Sequence, residues 1–122
     1  MILHIDTINN NCQVALYDGK NSDILKWQWK TDTGSEVLKN IQELLKKHKK
    51  NLIDIKAIIV NQGPGSYTGT RVGIVIANTL GWSLNIPVFG YSNQKPETVA
   101  RKICQKLSKG QLFPDHFPTP IY

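Results

Sequence analysis

The sequence is poor in cysteine and has no apolar run long enough to cross a membrane. Its two cysteines, Cys12 and Cys104, are too few for a disulfide framework and form no Cys-x-x-Cys pair, which favours a reducing, cytoplasmic setting. The most apolar stretch, residues 72–84, is too short to span a bilayer. No basic segment followed by an apolar one stands at the start of the chain, so we expect no signal peptide and no membrane partner.

Residues that would form an active site are also scarce. The three histidines, His4, His48 and His116, do not stand at a metal-ligand spacing, and we expect His4 to be a half-buried packing residue. Asp6 ends the first predicted strand without the companion carboxylates that a two-metal nuclease needs, and we interpret it as a turn-capping residue. The sequence therefore predicts no catalytic, metal-binding or cofactor-binding residues. A small metal- or nucleotide-binding hydrolase or peptidase that uses Asp6 remains the alternative.

What the chain has in excess is positive charge. Lys and Arg number 15 against 9 for Asp and Glu, a net charge of +6. Much of this charge lies in residues 46–50, Lys-Lys-His-Lys-Lys, at the predicted end of a helix, where cations complement the helix dipole. We interpret the run as a solvated helix end. The other interpretation is a tRNA-contacting module, which predicts binding that weakens steeply with salt.

Apolar periodicity predicts one α/β domain. The order of its elements, β-β-β-α-β-α-β-α, is that of a single ribonuclease-H-like lobe of the actin, Hsp70 and sugar-kinase type, a mixed five-stranded sheet with helices packed on it. We expect this lobe to occupy residues 1–110 and a proline-rich extended tail to occupy 111–122. The predicted strands cover residues 1–6, 12–17, 24–30, 55–60 and 87–90, and the helices cover 33–48, 72–84 and 96–107.

Residues 61–73, Asn-Gln-Gly-Pro-Gly-Ser-Tyr-Thr-Gly-Thr-Arg-Val-Gly, carry most of the functional information. They join a predicted strand to the second helix, an arrangement that serves either as an anion-binding loop or as a close packing contact with a partner. The segment lacks the Lys-Ser/Thr of a P-loop, and Pro64 removes one backbone donor. The packing contact is therefore the favoured interpretation.

The second helix is apolar on nearly all sides. Gly69, Gly73, Ala77 and Gly81 recur every four residues, and such a side lets another element pack closely. A small domain with one sheet covers one face of a helix, so the remaining apolar surface predicts a partner protein, or a homodimer when that partner is absent. The alternative is a core helix covered by the third helix and the tail. The other apolar residues of the helix are Val72, Val75, Ile76, Leu80 and Trp82.

The sequence resembles the N-terminal lobe of the TsaB family, whose members help to make threonylcarbamoyladenosine on tRNA. The resemblance rests on residues 2–7, on the block 61–73, and on 84–88 with Ser92, and it covers residues 1–107. It implies a cytoplasmic, non-catalytic scaffold that pairs through its helices with a TsaD-like catalytic subunit. It also implies a TsaE-like ATPase as a further component and tRNA as an indirect partner, and it leaves open whether ATP or ADP binds at the interface of the pair.

Carried onto this chain, the resemblance places the contact with the TsaD-like subunit on the second helix. Leu38, Ile41 and Leu45 of the first helix either join that contact or belong to the core. Members of the family have a second lobe, which we expect to be absent here or replaced by the tail, with no effect on pairing through the helices. The residues expected at the contact are Tyr67, Thr68, Arg71, Val72, Gly73, Val75, Ile76, Ala77 and Thr79.

Overall fold

A computed structural model describes residues 1–19, 21–29 and 33–110 of the chain, so the predicted tail lies outside the described residues. The elements follow in the predicted order. They are β1 (Ile2–Asp6), β2 (Asn11–Tyr17), β3 (Ser22–Gln28), α1 (Thr33–Lys47), a 3-10 turn (Leu52–Asp54), β4 (Ala57–Asn61), α2 (Tyr67–Leu84), β5 (Val88–Tyr91) and α3 (Pro96–Ser108). None of the helices among these residues is long and apolar enough to cross a membrane.

The five strands form one mixed sheet in the order β3-β2-β1-β4-β5. The first three strands are antiparallel, with Leu3 of β1 opposite Leu16 of β2. β1 also pairs in parallel with β4, where Leu3 meets Ile58, and β4 pairs in parallel with β5. The predicted mixed five-stranded sheet is therefore confirmed.

Helices cover both faces of this sheet. Ile58 and Val60 of β4 belong to the larger core, which α1 and α2 close from one side. Ala57 and Ile59 of the same strand belong to a smaller core under α3. A strand that alternates between two cores has no side for water, which explains why its sequence is apolar without interruption.

The helical spacing of six residues predicts one apolar face on the first helix, and the structure buries only part of it; the six are Val37, Leu38, Ile41, Leu44, Leu45 and His48. Val37, Ile41 and Leu45 lie in the larger core, but Leu38 is 44% exposed. Leu38 lies about 100° around the helix axis from Val37, which takes it to the edge of the buried face. His48 was also expected on that face and is exposed, because the helix ends at Lys47, before His48.

The basic run lies at the exposed end of a helix, the position predicted for it. α1 ends inside the run, at Lys47, and residues 46–50 are all exposed. Asp23 of β3 accepts from Lys47 Nζ at 2.9 Å and lies 2.7 Å from His48 Nε2. These two contacts, that with Lys47 first, lower the pKa of the Asp23 carboxyl. Because the Lys47 and His48 side chains are exposed, these two contacts contribute little to stability.

Several predicted element ends were wrong. The third strand ends at Gln28 rather than at residue 30, and Trp29 N donates to the Asn10 carbonyl oxygen at 2.7 Å. The second helix begins at Tyr67, five residues earlier than predicted, because Ser66 caps it. Much of the glycine-rich segment is therefore helix, and the loop itself is short.

Candidate functional site

The loop before α2 is fastened to the residues that follow β1. Ser66 Oγ accepts a hydrogen bond from Gly69 N at 3.2 Å, which caps the helix, and donates to the Ile8 carbonyl oxygen at 3.0 Å. The hydroxyl of Thr7, which is itself buried, donates to the Gly69 carbonyl oxygen at 2.6 Å. The glycine-rich block is therefore a close packing contact, but the surface that it packs against belongs to its own chain.

The small residues of α2 face the sheet. A Cβ atom at Gly69 would collide with the Thr7 carbonyl oxygen, and one at Gly73 would meet Thr7 Oγ1 at 2.5 Å. Near the other end of the helix, a Cβ at Gly81 would collide with the Val88 side chain. The elements that pack closely on this side of the helix are thus β1, its following turn and β5 of the same chain. Small residues are needed on this side because the helix backbone approaches the sheet so closely.

The opposite side of α2 is exposed. Its apolar residues Val75 and Trp82 are 58% and 77% exposed, although large apolar side chains are usually buried. The apolar surface predicted in excess of what the fold can cover is present among the described residues. We define the outer face of α2 as the exposed residues that recur there at three- and four-residue spacing, namely Thr68, Arg71, Val75, Thr79 and Trp82.

The residues expected at a partner contact divide between the two sides of the helix. Thr68, Arg71, Val75 and Thr79 lie on the outer face, and Val72 and Ile76 flank it, half-buried. Gly73 and Ala77 lie on the inner side. Ala77 is 0% exposed, so it cannot touch another protein while the domain is folded. Tyr67 is the first residue of α2.

One apolar residue of the first helix is also exposed. Ile41 and Leu45 belong to the core, whereas Leu38 is exposed and remains accessible to a partner. Trp82 was not among the residues expected at a contact. Its position seven residues after Val75, on the same side of a helix, is the signal that could have found it.

Asp6 caps a turn and joins two strands. Its Oδ1 accepts from Ile8 N at 3.1 Å, and its Oδ2 accepts from Asn61 Nδ2 at 3.2 Å. Asn61 Oδ1 in turn accepts from Gly63 N at 3.2 Å. The turn-capping interpretation is confirmed. In the part of the chain that the structure describes, no three His, Cys, Asp or Glu residues come together so that they could hold a metal ion.

His4 is wholly buried, not half-buried as predicted, because α3 covers that face of β1. Its Nε2 lies 2.8 Å from the Tyr91 hydroxyl oxygen, and the two groups share a hydrogen bond. Burial lowers the pKa of His4 to about 3, since the charged imidazolium loses its hydration there. The side chain is therefore neutral and has no access to a surface ligand.

This burial predicts that the domain loses stability in acid. Unfolded His4 binds a proton below about pH 6.5, but folded His4 stays neutral down to about pH 3. The unfolded state therefore binds more protons in this range, and the free energy of unfolding falls by about 2 kcal/mol between pH 7 and pH 5. Urea unfolding of the wild type and of His4→Gln at both pH values measures this. An equal pH dependence in the two proteins would contradict the assignment to His4.

Comparison with known proteins identifies a matching family model and similar proteins. The family model described as "TsaD: tRNA N6-adenosine threonylcarbamoyltransferase" matches residues 34–102. Over 113 residues, the chain is 36% identical to the tRNA threonylcarbamoyladenosine biosynthesis protein TsaB of Buchnera aphidicola subsp. Schizaphis graminum, covering 93% of this chain and 53% of the relative. The TsaB protein of Escherichia coli is 34% identical over 91 residues, which are 75% of this chain and 39% of the relative.

A solved structure shows the same fold. YeaZ from Pseudomonas aeruginosa superimposes with a TM-score of 0.69 at 27% identity, covering 75% of this chain and 42% of that one. The five-stranded mixed sheet with its three helices is thus a ribonuclease-H-like lobe. The chain spans about half the length, or less, of the relatives that it matches.

Proposed function

This chain belongs to the TsaD family, in which it matches TsaB proteins, and on that premise we propose that it is a non-catalytic partner subunit in the biosynthesis of threonylcarbamoyladenosine on tRNA. The observation that carries the proposal is the outer face of α2, where the apolar side chains of Val75 and Trp82 are 58% and 77% exposed on a single helix. Its direct partner in this proposal is a TsaD-like subunit.

The chemistry of the outer face of α2 suits a protein contact. Trp82 and Arg71 are of the residue types that contribute most to binding energy in protein interfaces. Val75 lies between them along the helix and offers apolar area, while Thr68 and Thr79 supply polar groups. Leu38 of α1, a helix that packs against α2, is a further exposed apolar residue. A helix of the partner packed on this face would remove these side chains from water.

The reactive side chains support a scaffold rather than an enzyme. Both carboxylate oxygens of Asp6 accept hydrogen bonds from the chain itself. His4 is buried and neutral, so it is not a base for a bound substrate. Burial, and then the charges of Asp6 and Glu36, raise the pKa of the Cys12 thiol to about 11, which leaves too little thiolate for nucleophilic chemistry. The hydrolase or peptidase that would use Asp6 is the weaker candidate.

The remaining partners follow from the same proposal. A TsaE-like ATPase and tRNA belong to the complex without a contact assigned to them on this chain. In the absence of a TsaD-like subunit, two copies of the chain pair through the outer face of α2, since a second copy covers the same apolar side chains. The proposed place of action is the cytoplasm, where tRNA is modified.

Deletion and co-purification test the function together. We expect a tagged chain, expressed from its own gene, to retain a TsaD-like protein through purification. We also expect deletion of the gene to lower the threonylcarbamoyladenosine content of tRNA, measured by mass spectrometry of digested nucleosides, and reintroduction of the gene to restore it. Unchanged modification in the deletion strain, together with no co-purifying TsaD-like protein, would refute the proposal.

A further inference from the structure

A second surface lies between the end of α1 and the 3-10 turn. A groove of about 750 Å³ opens there, lined by apolar side chains of Leu45, Leu52 and Ile53. Leu45 is buried and Leu52 half-buried, whereas Ile53 is 74% exposed. The groove exists because the chain reverses at Lys49, which has a left-handed φ of 55°.

The rim of this groove is basic. Lys46, Lys49 and Lys50 line it, and within the residues that the structure describes none of the three has a carboxylate within ion-pair distance. Lys47, in the same run, differs because its Nζ contacts Asp23 at 2.9 Å. The nearby acid, Asp54, accepts from Asn51 N at 2.8 Å and caps the turn. The groove thus combines an apolar floor with a positively charged rim.

We propose that this groove docks an acidic segment of a partner protein, with an apolar side chain of that segment packed against Ile53. The positive rim attracts and orients carboxylates, and the exposed isoleucine supplies the area from which water is excluded. A nucleic acid would engage the lysines through its phosphates but has no group that requires an isoleucine at this position. The combination therefore favours an acidic peptide over tRNA.

This surface is separate from the outer face of α2. The two share no residue, since the groove is formed by residues 42–53 and the outer face by residues 68–82. The inference goes beyond the pairing with a TsaD-like subunit and does not rest on it. Either proposal can fail while the other stands.

Selection from a displayed library of short random peptides tests the groove. The full chain is the bait, and the Ile53→Ser variant is used to remove peptides that bind elsewhere. We expect the enriched peptides to carry several Asp or Glu residues next to a large apolar residue. Ile53→Ser should weaken their binding about tenfold. In a chain labelled with nitrogen-15, the amide signals that shift on binding should lie within residues 42–53.

A matched pair of charge variants tests the rim. Reversing Lys46, Lys49 and Lys50 to glutamate should weaken peptide binding about tenfold or more, and added salt should weaken it in the wild type. The control replaces three other exposed lysines, Lys102 and Lys106 of α3 and Lys109 just after it, by glutamate. It changes the net charge by the same amount as the rim variant and should leave peptide binding within about twofold of the wild type.

Three results would overturn the proposal. The first is a selection that enriches no peptide sensitive to Ile53→Ser. The second is a tRNA transcript that binds through the three rim lysines with an affinity unchanged by Ile53→Ser, which would assign the surface to nucleic acid. The third is a concentration-dependent dimer that Ile53→Ser abolishes, which would assign it to a second copy of the chain.

Discussion

Replacement of Gly69 by alanine is expected to destabilise the domain by about 3 kcal/mol. The new methyl group would collide with the Thr7 carbonyl oxygen and with Ser66 Oγ, and the first of these belongs to the backbone and cannot rotate away. Relief requires α2 to move from the sheet, which would also stretch the bond from the Thr7 hydroxyl to the Gly69 carbonyl oxygen. Urea unfolding of the variant and the wild type measures the difference.

Gly34 provides the matched control. It lies in the first turn of α1, as Gly69 lies in the first turn of α2, and a Cβ there would meet no atom within 4 Å. Gly34→Ala should therefore raise the free energy of unfolding by about 0.5–1 kcal/mol, because alanine loses less backbone entropy in a helix. If the two substitutions changed stability in the same direction, the close approach of α2 to Thr7 would not have the importance that we give it.

Replacement of Val75 by aspartate is expected to weaken pairing with a TsaD-like subunit about 100-fold or more. The substitution places a charge in the middle of the outer face of α2, where a partner would exclude water, and an unpaired charge is costly to bury. Val75 is 58% exposed, so the fold should tolerate the change. Isothermal titration with the purified partner measures the affinity, and circular dichroism checks the fold.

A control for Val75→Asp is available on α3. Gln105→Asp adds the same charge to an exposed residue of α3 and should leave pairing unchanged. Ala77, on the same helix as Val75, is not a useful test, because it is 0% exposed and an aspartate there would unfold the domain. If Val75→Asp paired with unchanged affinity, the contact with the partner would lie on another surface. The same variant should also convert any homodimer into a monomer.

Much of the architecture could be predicted because it depends on local patterns. The alternation of Val14 and Leu16 with Ala15 and Tyr17 is typical of a strand with two different faces, and the structure places these pairs in opposite cores. The continuous apolar run of β4 is typical of a strand that is buried on both sides, as β4 is. Each of these signals lies within a few residues of the element that it predicts, so a single sequence contains it.

The candidate site was predictable in part. That α2 has more apolar surface than the domain covers followed from its composition, and Val75 and Trp82 are indeed exposed. The side of α2 that faces outward did not follow, so Gly73 and Ala77 were placed at the contact together with residues of the opposite side. Leu38, Ile41 and Leu45 presented the same ambiguity on α1.

The amino-acid sequence by itself determined the order of the elements, the burial of the central strands and the small residues along one side of α2. Only the tertiary structure decided which side of α2 lies against the sheet. A helix that is apolar nearly all round has no dominant hydrophobic face to select its orientation. The orientation of α2 is instead selected by Thr7, which lies 62 positions before Gly69 in the chain. The Thr7 hydroxyl donates to the Gly69 carbonyl oxygen, and only a glycine at position 69 lets Thr7 come so close.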